Sequence, residues 1–257
     1  DRSPSRGLGD VYKRQVLSLL EDKTNIYARK IALGMKTQFG WKELTYDGLG
    51  LMSRRLAAYL MNDLGIQRGE KLAILSESKP EYGACVFASV ISGLITVPLD
   101  IKLTKYELQS ILSDCLPSVM LVSQSYIDKA LELQKAIPSL KHIIVMDEHP
   151  VNENLQSIYT IPNNYTCKWR HRSRKSVVFI IYTSGTTGNP KGVETTFGNM
   201  LAQLKDLKTA FNQILPYGDV RVLSILPMNH LFEMTVGFST FFCLLYTSPS
   251  PRDGLLS

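Results

Sequence analysis

The chain has 257 residues, 44% of them hydrophobic, and 29 basic against 23 acidic side chains, for a formal charge of +6. That length and composition suit a soluble globular chain with one large domain or two small ones. The excess charge does not point to nucleic acid, because much of it lies at the two ends and in one short basic run.

The ends are related to each other. If Gly9–Gln15 is encoded GGA GAT GTG TAT AAG AGA CAG, the reverse complement read one base out of frame encodes Cys-Leu-Leu-Tyr-Thr-Ser-Pro, which is Cys243–Pro249. Extending the operation through Arg6 yields Ser250, Pro251 and Arg252. These codons resemble a transposon-type sequencing adapter. Residues 1–15 and 243–257 are therefore expected to be a non-native tag and tail, flanking an insert of residues 16–242 truncated at both ends. Setting aside the five basic and three acidic residues of those ends leaves 24 against 20, an ordinary balance. Cys85, Cys115 and Cys167 then remain, scattered and without CxxC or CxxH spacing, so neither a disulfide framework nor a zinc site is expected. A reducing cytoplasm fits this usage.

In chain order, Trp41–Tyr46 reads as a short strand. Thr45 or Asp47 caps a helix with apolar positions Leu51, Leu56 and Leu60, which Gly65 ends. Lys71–Leu75 is an apolar strand, and Lys79-Pro80-Glu81 opens the next helix with Pro in its first turn. Tyr82–Leu99 carries no charge over a length near the lower limit for a membrane span. Its Gly, Ser, Thr and Pro residues instead predict a buried helix ending at Gly93 and a strand over Leu94–Val97. Thr104 and Glu107 form a capping-box pair ahead of a helix to about Asp114. A strand over Val119–Val122, a helix over Tyr126–Ala136 and a strand over His142–Met146 follow.

Residues 146–176 are polar and Asn-rich, and end in the basic run Lys168–Lys175. They read as a surface linker between two sub-structures, with the run as a solvated face. Val177–Tyr182 is then a buried strand. The alternation of helices and strands predicts an α/β fold of mixed sheets covered by helices.

Tyr182-Thr183-Ser184-Gly185-Thr186-Thr187-Gly188-Asn189-Pro190-Lys191-Gly192 follows at once. Glycines let a backbone approach phosphate oxygens without an intervening Cβ. Successive N–H groups form an anion-binding concavity, to which the hydroxyls of Thr183, Ser184, Thr186 and Thr187 add donors. Lys191 supplies a positive charge for the β/γ-phosphates or the departing pyrophosphate. The order is wrong for a Walker loop, since Lys191 lies between Pro190 and Gly192. A helix begins near Phe197, with its dipole farther from the loop than in a Walker motif.

The loop closely resembles the signature of the adenylate-forming superfamily of acyl-CoA synthetases, non-ribosomal adenylation domains and luciferases. Leu226-Pro227-Met228-Asn229-His230-Leu231-Phe232-Glu233, after a predicted strand Val222–Ile225, resembles the long-chain fatty acyl-CoA synthetase branch. A zinc site from His230 and Glu233 alone lacks further ligands. Phe39–Tyr46, Gly69–Leu75 and Gly93–Asp100 resemble family segments in the expected order.

The resemblance implies part of the large N-terminal domain of the acyl-CoA synthetase-like fold. It also implies a ligase that forms an acyl-adenylate from a fatty acid and ATP with Mg²⁺, then transfers the acyl group to CoA. Thr183, Ser184, Gly185, Thr186, Thr187, Gly188 and Lys191 would hold the triphosphate. His230 would sit beside the acyl-adenylate site with Glu233 on the same wall, and Val236, Gly237, Phe238 and Phe241 suit an acyl tunnel. The family's magnesium-binding glutamate and adenylation lysine would lie beyond Phe242, so this chain alone is expected not to turn over. An acyl carrier protein as acceptor, a peripheral membrane contact and a non-catalytic binding homologue stay open.

Overall fold

The computed structural model describes residues 24–163, 170, 172–183, 190–214, 222–224, 226–230 and 233–234. A hairpin of β1 (Ile31–Thr37) and β2 (Gly40–Thr45) comes first, turning at Gly40 with φ +123°. Then follow α1 (Tyr46–Asn62), β3 (Lys71–Leu75), α2 (Pro80–Ser92), β4 (Ile95–Pro98), α3 (Lys105–Cys115) and β5 (Val119–Val122). The remainder is α4 (Ile127–Ala136), β6 (His142–Val145), β7 (Gln156–Ser157), β8 (Val177–Thr183), β9 (Lys191–Thr196) and α5 (Phe197–Ile214).

Seven strands make one sheet in the order β7-β6-β5-β3-β4-β8-β9, parallel except for β9. The strands are apolar runs because both faces are covered. Leu72 and Ile74 of β3 and Val119 and Leu121 of β5 pack in one core with α1 and α2. Ala73, Leu75, Met120 and Val122 pack in a second core with α3 and α4. Each fully buried Leu or Ile contributes roughly 1.5–3 kcal/mol, so the period-two split sets the register firmly.

Local signals explain most helix ends. The Thr45 hydroxyl caps α1 by accepting from Gly48 N at 3.1 Å. The buried face of α1 is Leu49, Met52, Leu56 and Leu60; Leu56 and Leu60 are buried as expected, whereas Leu51 is exposed and Leu49 and Met52 fill the first turns of that face. α1 ends at Asn62, before Gly65. Every residue of α2 is buried, with Pro80 in its first turn and Gly93 closing it at φ +77°. α2 is a core helix of 13 residues, and no described helix is long and apolar enough to cross a membrane. Thr104 and Glu107 form the complete capping box at the start of α3.

Residues 146–176 depart from the expected surface linker. β7 extends the sheet beside β6, and Ile158 and Ile161 are buried in the first core. β8 joins the same sheet rather than a second sub-structure. Within the basic run, Arg172 is only 4% exposed. Its guanidinium donates to the carbonyls of Val90 at 3.3 Å, Ser89 at 3.1 Å and Val177 at 3.0 Å, and also to Leu94. Arg170 donates to the carbonyls of Ser92 at 3.3 Å and Ile66 at 3.0 Å. A buried helix C-terminus presents unpaired carbonyls at the negative end of its dipole, and two arginines answer both needs. Lys168, Trp169 and His171 lie outside the described residues, as do the expected tag and tail.

Candidate functional site

The direction of travel in the sheet places the site. From β3 the chain steps to β4, then returns past β3 to β5, so α2 and α3 cover opposite faces. In such sheets ligands bind outside the carboxyl ends of the strands, where the helices diverge. Six segments leave that edge: Ser76–Lys79 after β3, Leu99–Asp100 after β4, Ser123 after β5, Met146–Asp147 after β6, Ile158 after β7, and the Thr/Gly/Lys loop after β8.

β8 and β9 form the two arms of the hairpin that carries this loop. Thr183 stands directly opposite Lys191, and residues 184–190 connect them. Both end residues are exposed. Among the described residues, no carboxylate pairs with the Lys191 ammonium. Ser184, Gly185, Thr186, Thr187 and Gly188 lie outside the described residues.

Helix α5 begins only after the six residues of β9, about 20 Å along the strand from Lys191. Its N-terminal groups are used locally. The Thr196 hydroxyl accepts from Asn199 N at 3.2 Å, the Asn199 side chain accepts from Thr196 N at 3.1 Å, and Phe197 N donates to the Ser176 carbonyl at 2.8 Å. The N-terminal groups of α5 are thus engaged within the helix start and with Ser176.

The hairpin also makes side-chain contacts back to the body. The Tyr182 ring lies across from Gly192. A Cβ at Gly192 would stand 3.0 Å from Tyr182 Cζ and 2.9 Å from Ile180 Cγ2, so only glycine leaves room for the ring. The Tyr182 hydroxyl donates to the Asp114 carboxylate in the last turn of α3. Burial first, then the Asp114 and Cys115 contacts, push the Tyr182 phenol well above its ordinary value. Burial, with Asp114 next, pushes the Cys115 thiol up to about 12.

The second expected segment reaches the same edge. Met228 N donates to Ser78 Oγ at 3.0 Å, joining the segment to the turn after β3. Met228 and Met234 are buried in the first core. Between them His230 is exposed on a turn, its N–H donating to the Pro227 carbonyl at 3.0 Å while its carbonyl accepts from Met234 N at 3.0 Å. Glu233 is 5% exposed, and its carboxylate accepts from Ser224 Oγ at 2.5 Å. The carboxylate thus braces the segment, while the imidazole is presented outward.

The strand expected over Val222–Ile225 is absent among the described residues 222–224. Leu223 is 81% exposed there. Ile225, Val236, Gly237, Phe238 and Phe241 lie outside the described residues.

Sequence reasoning missed the groups that tie this edge together. The buried Lys79 ammonium pairs with Asp147, and Glu77 lies 3.7 Å away. Asp147 also accepts from Gln124 N at 2.7 Å, and Glu77 from Ser123 Oγ at 2.5 Å. All belong to segments just beyond strands β3, β5 and β6, and that position was the available signal. No group of three or more His, Cys, Asp or Glu side chains placed to hold a metal ion is found among the described residues.

Comparison with known proteins adds an independent line. The family model described as AMP-binding enzyme matches residues 20–248. The chain is 28% identical over 252 residues to the long-chain-fatty-acid–CoA ligase ACSBG1 of Homo sapiens, covering 90% of this chain and 34% of that protein. It is 28% identical over 247 residues to the long-chain-fatty-acid–CoA ligase of Salmonella typhimurium, covering 83% of this chain and 44% of that one. It thus spans a third to under half of these relatives. Among solved structures, a putative long-chain-fatty-acid CoA ligase from Rhodopseudomonas palustris superposes with TM-score 0.75 at 21% identity, over 89% of this chain and 55% of that one. The adenylation and carrier didomain of a carboxylic acid reductase from Segniliparus rugosus, in complex with AMP, superposes with TM-score 0.72 at 21% identity, over 93% of this chain and 38% of that one. At these identities the structural likeness speaks for the fold.

Proposed function

The chain belongs to the AMP-binding enzyme family, and from that premise we propose that the protein it comes from is an ATP-dependent fatty acid–CoA ligase. One observation carries the reading. Thr183 and Lys191 face each other at the mouth of a hydroxyl- and glycine-rich hairpin, on the carboxyl edge of a parallel sheet. The names of the curated relatives support a fatty acid as the carboxylate.

In the reaction, a fatty carboxylate oxygen bonds to the α-phosphorus of ATP and the α–β anhydride breaks, releasing pyrophosphate. The CoA thiol then loses its proton and bonds to the acyl carbon, and AMP leaves. No covalent protein nucleophile is needed, so the protein contributes positioning and charge. Thr183, Ser184, Gly185, Thr186, Thr187 and Gly188 would cradle the triphosphate, and Lys191 would offset the charge gathering on the leaving pyrophosphate. His230 would face the acyl-adenylate, with Glu233 shaping the same wall from behind. Mg²⁺ would offset phosphate charge when bound with ATP; the hydroxyls and Lys191 suit its phosphates, and the described residues offer no acidic cluster of their own for it.

The test is pyrophosphate release by the whole protein with palmitate, ATP and CoA. Turnover that requires all three supports the ligase, and its absence overturns it. The Lys191→Ala variant should lose about 10²-fold or more in kcat/KM for ATP. Full retention would remove Lys191 from the phosphate site. An acyl carrier protein shares the pantetheine arm of CoA, so direct competition between the two acceptors decides that choice. The chain by itself should release pyrophosphate only at background.

A further inference from the structure

Helix α2 starts on a residue that local rules disfavour. Its N-cap is Lys79, whose side chain caps nothing. Serine, threonine, asparagine or aspartate would cap there, and a cation opposes the positive end of the helix dipole. The ammonium is instead turned into the carboxyl edge of the sheet, where the side chain is 4% exposed, paired with Asp147 and 3.7 Å from Glu77. A lone buried cation would be costly, and both of these carboxylates are themselves held. Asp147 accepts from Gln124 N at 2.7 Å, and Glu77 from Ser123 Oγ at 2.5 Å. The Asp147 carbonyl also accepts from Ser157 Oγ at 2.5 Å. The turn after β3 is therefore fastened, on both sides of Ser78, to the turns after β5 and β6.

We propose that Ser78, fixed between Glu77 and Lys79, is a positioning residue for the His230 turn and thereby sets kcat/KM for the fatty acid. This deepens the ligase reading and rests on it for the substrate. Ser78 Oγ accepts from Met228 N at 3.0 Å, across 150 positions of chain. Met228 lies in the tight turn where His230 N donates back to the Pro227 carbonyl at 3.0 Å, so the orientation of that turn fixes where the exposed imidazole stands. Burial of Met228 and Met234 in the first core sets the depth of the segment. Apolar packing is non-directional, whereas a hydrogen bond fixes an angle. The Ser78 hydroxyl thus supplies the orientation that the two methionines cannot. Displacing a group beside a reacting centre by even an ångström is costly to the reaction.

The whole protein tests this with two readouts. Hydrogen exchange at the Met228 amide needs no substrate. It should quicken roughly fivefold in Ser78→Ala, the scale of one neutral hydrogen bond, and return to the parent rate in Ser78→Thr, which keeps the hydroxyl. In steady-state assays, kcat/KM for palmitate should fall by a similar factor in Ser78→Ala, with KM for ATP unmoved and Ser78→Thr restoring the parent value. Ser78 is exposed, so neither substitution disturbs the core. Lys79→Met should reproduce both effects, and adding Ser78→Ala to it should cost nothing further, because the two act through one contact. Unchanged exchange in Ser78→Ala overturns the brace. Quickened exchange with unchanged kcat/KM for palmitate overturns its role with the substrate. A further loss in the double variant overturns the part given to Lys79. A protein that releases no pyrophosphate with palmitate, ATP and CoA overturns the ligase reading and the substrate role with it, while exchange at Met228 still decides the brace.

Discussion

Arg172 shows how much one side chain can decide. Its guanidinium is buried among the last carbonyls of α2 and the first of β8, and it supplies hydrogen bonds that the backbone there cannot make for itself. Burial, and next the nearby Arg68, lower it to about 10, which leaves it charged at neutral pH. Arg172→Leu should destabilise the protein by about 3 kcal/mol, because the orphaned carbonyls stay buried. Arg172→Lys should recover only part of that, since an ammonium gathers its three donors on one nitrogen and cannot reach acceptors spread around a planar guanidinium. The midpoint of urea unfolding measures both; an unmoved midpoint in the Leu variant would mean that water reaches those carbonyls. Cys85 and Cys115 offer a second check. Burial pushes both thiols up, Cys115 to about 12. Neither should react with iodoacetamide at pH 8 until the chain is unfolded, as peptide mapping would read.

At the scale of the element, ends defined by local chemistry behave as independent parts. Thr104 and Glu107 cap α3 reciprocally, Thr104 N donating to Glu107 at 2.8 Å and Glu107 N to the Thr104 hydroxyl at 3.3 Å. Thr104→Ala should cost about 1 kcal/mol by thermal unfolding. The bonds from the Thr104 side chain and backbone hold the Glu107 carboxyl below its ordinary 4.5. The folded value is the lower one, so this contribution is fully present above pH 4.5 and fades as pH falls through the folded value. Thr104→Ala should therefore narrow its gap to the parent in acid, and a gap constant down to pH 3 would contradict the box. Such ends were legible because cap and capped lie three residues apart. The strands β1, β7 and β9 were not legible. β7 has two residues, and β9 reads KGVETT, so each owes its extended form to a partner strand rather than to an apolar pattern.

Across the whole molecule, distant parts are tied by buried charge. Glu81 on α2 is 1% exposed and holds both the Lys42 ammonium of β2 and the Tyr159 hydroxyl beyond β7. Lys42 also sits 5.6 Å over the Tyr159 ring. Glu81→Leu should cost about 3 kcal/mol, since Tyr159 loses its acceptor while Lys42 can turn to water. It should also quicken tryptic cleavage at Arg29 and Lys30, just ahead of the hairpin, and at Lys36 on it; cleavage at the parent rate would show that the hairpin is held by packing alone.

Such ties also mark the limit of sequence reading. By itself the sequence determined the α/β class, most helix ends and the apolar strands β3 to β6 and β8, because each end or strand rests on residues close together in the chain. Only the tertiary structure decided that residues 146–176 are partly buried, with Arg172 capping α2 across more than 80 positions of chain. Only it separated the bracing role of Glu233 from the exposed His230, and brought Ser78 under Met228. The physical reason is the same in each case. A buried polar group must find a partner, and which partner it finds depends on where the sheet brings the chain back, not on what stands beside it in sequence.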